Sequence, residues 1–183
     1  MTPAEIIVAC QKKDKQAERL LFDQYAPMVY GWCRRYSKDD HEAKDFLQEC
    51  FLHLFNQIQR YDAQKGVFAA WLHRLCTNTI LKLIRKDKHY RQIMFVEQIP
   101  ETELDEQMLE QVPQEIILRA IRGLPEGYQT IFNLFCFDQW SHEEIAQHLG
   151  ISSSTSRSQL SRAKKLLKIK LLDLIPNIHE RLA

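Results

Sequence analysis

The sequence predicts an all-α fold, on three observations. Apolar side chains recur at spacings of three and four residues through most of the chain, as in Phe46, Leu47, Cys50, Phe51, Leu54, Phe55 and Ile58. Glycine and proline are scarce, 5 and 6 in 183 residues, and β-branched runs are few. Helix punctuation is present where the periodicity needs it: Ser141 stands three residues before Glu144, the spacing of a capping box, and Gly150 follows where a left-handed residue ends a helix. An acidic stretch divides the helices, so the expected architecture is two small helical domains joined by an acidic linker, a tether over 89–113.

Taken in order, residues 4–36 are expected as two helices, with Ala17, Leu20, Leu21 and Tyr25 on one apolar face and Pro27 marking a break or a new first turn. Val29, Trp32, Cys33 and Tyr36 continue the burial, and Asp39 or Asp40 caps the next helix. That helix, 42–60, carries the stripe already named. Asp45, Gln48, Glu49 and Leu52 lie off it, as a solvated face or as a docking face for a basic partner. The polar residues and Gly66 in 61–67 predict a loop. A helix follows over 68–88, with Trp71, Leu72, Leu75, Cys76, Thr79, Ile80, Leu83 and Ile84 apolar, and Arg74, Asn78, Lys82, Arg85 and Lys86 mainly on the other faces.

Residues 89–113 are weakly periodic, broken by Pro100 and Pro113, with a short helix expected at 104–109. Pro113 then opens a helix with Ile116, Ile117, Ala120 and Ile121, ended by Gly123. Pro125 opens another, with Tyr128, Ile131, Phe132, Leu134 and Phe135. From Trp140 to Lys170 the pattern is two helices and one tight turn. Trp140 and Ile145 flank the capping box where a hydrophobic staple forms, Ala146 marks the crossing, and Ser152 caps the second helix, whose apolar positions are Leu160, Ala163, Leu166 and Leu167. The chain closes on Leu171, Leu172, Leu174 and Ile175.

Charge is informative by its distribution, since the formal net charge is only +1. Lys82, Arg85, Lys86, Lys88 and Arg91 form a basic block against Asp87 alone. Glu97, Glu101, Glu103, Asp105, Glu106, Glu110 and Glu115 follow without a Lys or Arg. The last helix carries Arg157, Arg162, Lys164, Lys165, Lys168 and Lys170 with no acid before Asp173. Two basic blocks separated by an acidic tether suit two nucleic-acid modules. At the start of the last helix, Ser152, Ser153, Ser154, Thr155, Ser156 and Ser158 are short enough to let a helix N-terminus approach a phosphate or base edge. The pattern is that of a helix-turn-helix with the second helix reading a groove, or else of a plain helical hairpin with a solvated basic face. Near the first basic block, Tyr61, Phe68 and Trp71 read either as core or as rings on which unpaired bases stack.

Other chemistries lack their motifs. The five cysteines (Cys10, Cys33, Cys50, Cys76, Cys136) are dispersed and read as reduced, buried small hydrophobes; Cys50 and His53 have no second pair at zinc spacing, so no metal is expected. There is no phosphate-cradling glycine loop, nucleophile elbow or zinc helix, and His142 and Glu143 read as helix N-terminus residues, so no enzyme is expected. No apolar run approaches a membrane span and the first eleven residues lack a signal-peptide design, so a cytoplasmic protein is expected.

Three stretches read together resemble a known family: Ala43-Lys-Asp-Phe-Leu-Gln-Glu-Cys-Phe51, then Arg60-Tyr-Asp-Ala-Gln-Lys-Gly-Val-Phe-Ala-Ala-Trp-Leu72 with Asn78 beyond it, then Leu124-Pro-Glu-Gly-Tyr-Gln-Thr-Ile-Phe132 leading into the helix-turn-helix. In this order and spacing they resemble bacterial sigma-70 family sigma factors of the extracytoplasmic-function (ECF) group, over nearly the whole chain. The resemblance implies region two at 1–90 and region four at 113–183, a promoter-specificity subunit that needs no cofactor. It implies docking on the clamp helices and flap of core RNA polymerase, with Asp45, Gln48, Glu49, Phe51 and Leu52 matching the clamp-docking surface. For the −10 element it implies Tyr61, Lys65, Phe68, Trp71, Arg74, Asn78, Lys82, Arg85 and Lys86; for the −35 element, Ser141, Ser153, Ser154, Ser156, Arg157, Ser158, Ser161, Arg162 and Lys165. Housekeeping relatives carry two adjacent tryptophans where this chain has Trp71-Leu72, which implies weaker melting and well-matched promoters. An anti-sigma partner is implied, and the acidic linker would thread the polymerase channel as a nucleic-acid mimic or remain a solvated tether. The competing reading is a stand-alone helix-turn-helix regulator with a helical sensory domain, which would carry a ligand pocket in its first half.

Overall fold

The computed structural model describes residues 1–86 and 112–174. Among them are eight α-helices, one short 3-10 turn and no strand. They form two separate bodies, divided between the two described stretches. The expected helix at 104–109, most of the acidic run, Lys88, Arg91 and Ile175 lie outside the described residues.

The first body starts with α1 (Pro3–Gln11). Thr2 and Glu5 close a reciprocal cap, the Thr2 N–H donating to Glu5 Oε2 at 2.7 Å and the Glu5 N–H to Thr2 Oγ1 at 3.3 Å. Lys13 turns the chain with φ 62°, and Asp14 caps α2 (Lys15–Tyr36) by accepting from the Gln16 and Ala17 N–H groups. The expected break at Pro27 is therefore absent: the helix divides at 12–14, and Pro27 lies inside α2. A proline removes the bond to the carbonyl four residues back. That carbonyl belongs to Asp23, and both residues lie at the surface, where water can match it. Leu20 is exposed, contrary to expectation, because the buried line on α2 is narrow: Ala17, Leu21, Val29, Cys33 and Tyr36.

Asp39 caps α3 (Asp40–Gln57), accepting the Glu42 N–H at 2.8 Å, and a 3-10 turn (Ile58–Arg60) leads into the loop 61–67. The helix α4 (Phe68–Lys86) packs against both α2 and α3. Two partners require two apolar faces, which is why Thr77 and Leu81 are buried beside the expected Leu72, Cys76, Thr79, Ile80 and Ile84. Gln11 fastens α1 to the rest. Its side-chain amide donates to the carbonyls of Ile58 at 3.1 Å and Tyr61 at 3.0 Å, while the Gln59 amide donates to the Gln11 carbonyl.

In the second body, Pro113 precedes α5 (Gln114–Arg122) and Pro125 precedes α6 (Glu126–Cys136). Then come α7 (His142–Leu149) and α8 (Ser153–Leu174). The last helix packs on all three others: Leu160 and Ala163 are buried in its first half, and Leu171 joins Val112 and Ala120, with Ile116, Ile117, Leu167 and Leu174 around them. The turn into α8 forms as the sequence predicts. Gly150 adopts φ 70°, and the N–H groups of Gly150 and Ile151 both return to the Ala146 carbonyl, at 2.9 and 3.1 Å. Ser152 Oγ accepts the Thr155 N–H at 3.0 Å. Trp140 meets His148 edge-on, with centroids 5.1 Å apart.

Four cysteines are buried and free; Cys136, expected in the core, ends α6 and is exposed. Cys50 Sγ donates to the Cys76 carbonyl at 3.8 Å. The Cys33 thiol is pushed well above its ordinary range by its hydrogen bond with Cys50 and by burial; the Cys10 thiol is pushed up to about 11 by burial. Protonated, enclosed thiols are poor nucleophiles. Only Cys136 should therefore react with a thiol reagent in the native protein, and all five after denaturation; mass spectrometry of the labelled chain checks this. Gly150→Ala should destabilise the second body by about 1–2 kcal/mol, read by urea unfolding, because a Cβ is strained in the left-handed conformation.

Candidate nucleic-acid interface

The aromatic and basic residues of the first body are brought together by the loop 61–67 and the start of α4. The Tyr61 hydroxyl donates to the Gly66 carbonyl at 3.0 Å, pinning the loop across its own width. The Gln64 N–H donates to Asp62 Oδ1 at 2.9 Å, and Lys65 Nζ lies 3.7 Å from Asp62 Oδ2. Tyr61, Phe68 and Trp71 form a cluster with centroid separations of 5.1, 5.4 and 5.8 Å, and Tyr25 packs edge-on against Phe68 at 5.2 Å. The alternatives left open by the sequence divide residue by residue. Phe68 is core; Tyr61 and Trp71 are half-buried, each keeping part of its ring in reach of solvent. Phe68 thus supports the platform from beneath and is not itself placed to touch a partner.

Along α4, Trp71, Arg74, Asn78, Lys82 and Arg85 follow at spacings of three and four, which lines them on one face. Arg74, Lys82, Arg85 and Lys86 are exposed and Asn78 is half-buried. Rings at one end and cations along the helix give a surface suited to a single strand, with bases stacked and phosphates tracked by charge.

On α3, Asp45, Gln48, Glu49 and Leu52 share an exposed face, with Leu52 51% exposed. Asp45 lies 3.3 Å from His41 Nδ1. Phe51, matched to the same docking surface by resemblance, is only 4% exposed. It lies between Phe22 and Phe55, at centroid distances of 4.6 and 5.9 Å, in a shallow groove of about 330 Å³ that Leu47, Gln48 and Leu52 also line. Phe51 is therefore the floor of this groove, beneath the exposed face of α3 rather than part of it. Phe22, from α2, also lines the groove. Its exposure beside a stripe residue appears only when α2 and α3 pack.

In the second body the capping box closes as expected: the Ser141 N–H donates to Glu144 Oε2 at 2.9 Å, and the Glu144 N–H to Ser141 Oγ at 3.1 Å. Ser141 is exposed but its hydroxyl is occupied in the cap. Ser154, Arg157, Ser158 and Ser161 are exposed, and Ser153, Arg162 and Lys165 half-buried. Ser158 donates to the Thr155 carbonyl at 3.0 Å. Ser156 departs from the expected groove-facing position. It is 0% exposed, and its hydroxyl lies 2.9 Å from His142 Nδ1, so it holds the two helices together and faces no groove. His142 also stacks on Phe135, with centroids 4.5 Å apart. Arg157 Nη1 lies 3.4 Å from Glu143 Oε1, and Nη2 donates to Ser153 Oγ at 3.1 Å.

Both bodies match family models, in order. Residues 21–90 match Sigma-70 region 2, and residues 114–167 match Sigma-70, region 4. The chain belongs to the sigma-70 family. Its relatives place it in the ECF group. The ECF RNA polymerase sigma factor SigE of Mycolicibacterium smegmatis is 31% identical over 153 residues; the match covers 81% of this chain and spans 59% of the length of SigE. The ECF RNA polymerase sigma factor SigW of Bacillus subtilis is 29% identical over 180 residues, covering 90% of this chain and 94% of SigW. Among solved structures, the sigma factor RpoE in complex with the anti-sigma factor NepR, from Bartonella quintana, shares the fold with a TM-score of 0.50 at 17% identity, covering 86% of this chain and 96% of that one. Trp71, Arg74 and the exposed face of α3 thus lie in region two, and the capped hairpin of α7 and α8 in region four. No helix among the described residues is long and apolar enough to cross a membrane.

Region four carries a titratable group inside this hairpin. Burial, and next the Arg157 charge, hold the His142 ring below the ordinary histidine value of 6.5. A folded state that prefers the neutral ring binds fewer protons than the unfolded chain just below that value, so stability falls as pH falls. The contribution of His142 should be complete above pH 6.5 and lost as the pH drops through the lower folded value. Urea unfolding between pH 7 and about pH 5 should show this slope, and His142→Gln should flatten it.

Proposed function

We propose that this chain is a promoter-specificity subunit: it binds core RNA polymerase and directs initiation at promoters with matching −10 and −35 elements. The observation that carries this reading is the pair of family matches, region two before region four, each on a body with a basic face beside a positioned reading element. Its work is binding, not catalysis, and its place is the cytoplasm, where polymerase and promoter DNA meet. Residues 1–90 act as region two, 91–112 as linker and 113–183 as region four.

Each surface has a role in this reading. Asp45, Gln48, Glu49 and Leu52 dock on the clamp helices, with Phe51 and Phe22 forming the apolar floor that Leu52 extends. Tyr61 and Trp71 offer ring faces to bases leaving the −10 duplex, whose unstacking costs a few kcal/mol per step and must be offset by stacking and pocket contacts. Lys65, Arg74, Asn78, Lys82, Arg85 and Lys86 follow the backbone. In region four, Arg157, Ser158, Ser161 and Arg162 face base edges and Lys165 a phosphate, while Ser153 and Ser154 let the helix start approach the groove. A bidentate arginine contact discriminates by about 1–3 kcal/mol per base pair. The acidic linker occupies a basic channel of polymerase, and an anti-sigma partner holds the chain when it is not needed.

Transcription in vitro with core polymerase on a random promoter library tests the whole reading. The chain should be required for initiation, and the selected templates should share two spaced elements. Leu52→Glu should weaken core binding about tenfold, as expected for a charge placed in an apolar contact. Failure of the unaltered chain to bind core polymerase overturns the reading.

A further inference from the structure

The base-reading face of α8 is held in place by the first turn of the helix before it. Three consecutive residues of that turn each have an assigned partner. Glu144 returns to the Ser141 N–H, which fixes the turn itself. His142 meets Ser156, fourteen residues on, at 2.9 Å. Glu143 meets Arg157, again fourteen residues on, at 3.4 Å. The two contacts differ in kind. Ser156 is buried, so its bond to His142 fixes the helix. The Glu143 and Arg157 side chains are 71% and 54% exposed, so their pair contributes little to stability. A weak, solvated ion pair between a side chain on the supporting helix and one on the reading helix is of most use for orientation.

Arg157 has a second tether on its own helix. Nη2 donates to Ser153 Oγ at 3.1 Å while Nη1 faces Glu143. Each terminal nitrogen carries two N–H groups, so one of each remains for a partner. The guanidinium is thus restrained at both terminal nitrogens while keeping N–H groups to donate to a guanine edge.

We infer that Glu143 is a specificity-determining positioning residue: through its carboxylate it orients Arg157 for base readout, at some cost in affinity from a negative charge beside the DNA phosphates. The inference rests on the promoter-binding reading above. It has an unusual signature, since affinity and discrimination move in opposite directions when the carboxylate is neutralised.

The test uses holoenzyme assembled on core polymerase, with promoter duplexes each changed at one base pair of the −35 element and a duplex of unrelated sequence. Arg157→Ala first identifies the base pair that Arg157 reads. Glu143→Gln should then lower discrimination at that base pair about threefold, the scale of an exposed ion pair, and raise affinity for the unrelated duplex. Glu143→Asp, which keeps the charge but shortens the reach, should lose discrimination without gaining affinity. In an Arg157→Ala background, Glu143→Gln should leave discrimination unchanged. The inference is overturned if Glu143→Gln alters affinity but leaves discrimination intact, or lowers discrimination equally at every position. It is overturned too if Arg157→Ala affects no position. Loss of all sequence preference by the unaltered holoenzyme would instead sink the promoter reading beneath it.

Discussion

One cylinder must serve two masters in the second body. Helix α8 buries Ser156, Gln159, Leu160, Ala163 and Leu171 while leaving Ser154, Arg157, Ser158 and Ser161 outside. A helix has only 3.6 residues per turn, so every residue given to the core is taken from the face proposed to meet DNA. At two positions small side chains ease the conflict. Ala163 and Ser156 let the other helices come close, and the hydroxyl of Ser156 is satisfied by His142, so a polar residue can enter the core without an orphaned group. The turn at Gly150 and the cap at Ser141 matter because they set the angle at which this divided helix leaves its support.

The same division governs region two. Helix α3 gives Phe46, Cys50, Phe51 and Leu54 to the interior and shows Asp45, Gln48, Glu49 and Leu52 outside. Helix α4 gives Phe68 to the interior and keeps part of Trp71 outside, with the cations following along the same line. In both cases an aromatic residue to which the resemblance gives a contact role is buried, beneath a neighbour that stays accessible. Burial separates the two roles where sequence matching alone assigns them together.

What could be read from the sequence was what is decided within a few residues. The Ser141–Glu144 cap, the left-handed Gly150 and the stripe on α3 depend on local spacing, and each formed as expected. The Thr2–Glu5 cap carries the same local signal at the start of α1. Pro27 misled because a proline predicts the loss of one hydrogen bond, whereas the continuity of α2 is decided by the core on both sides of it. Ser156 is buried where the serine cluster suggests a groove face. Counting back from Leu160 and Ala163 by helical steps reaches it, but its serine neighbours draw attention to their shared chemistry instead of their differing directions. The His142–Ser156 and Glu143–Arg157 contacts, and the Phe22 side of the groove, join separate helices and leave no mark in local spacing.

The amide of Gln11 has a bearing on where this family's first domain begins. The match to region two starts at residue 21, inside α2, which leaves α1 outside the shared unit. Yet Gln11 bridges the carbonyls of Ile58 and Tyr61, at the root of the aromatic loop, and Ile6, Ile7 and Cys10 are buried. A chain trimmed to the family boundary would expose an oily hollow and untie the hinge from which the loop hangs. The leading helix, although it touches no nucleotide in the proposed scheme, is a clasp for the segment that does.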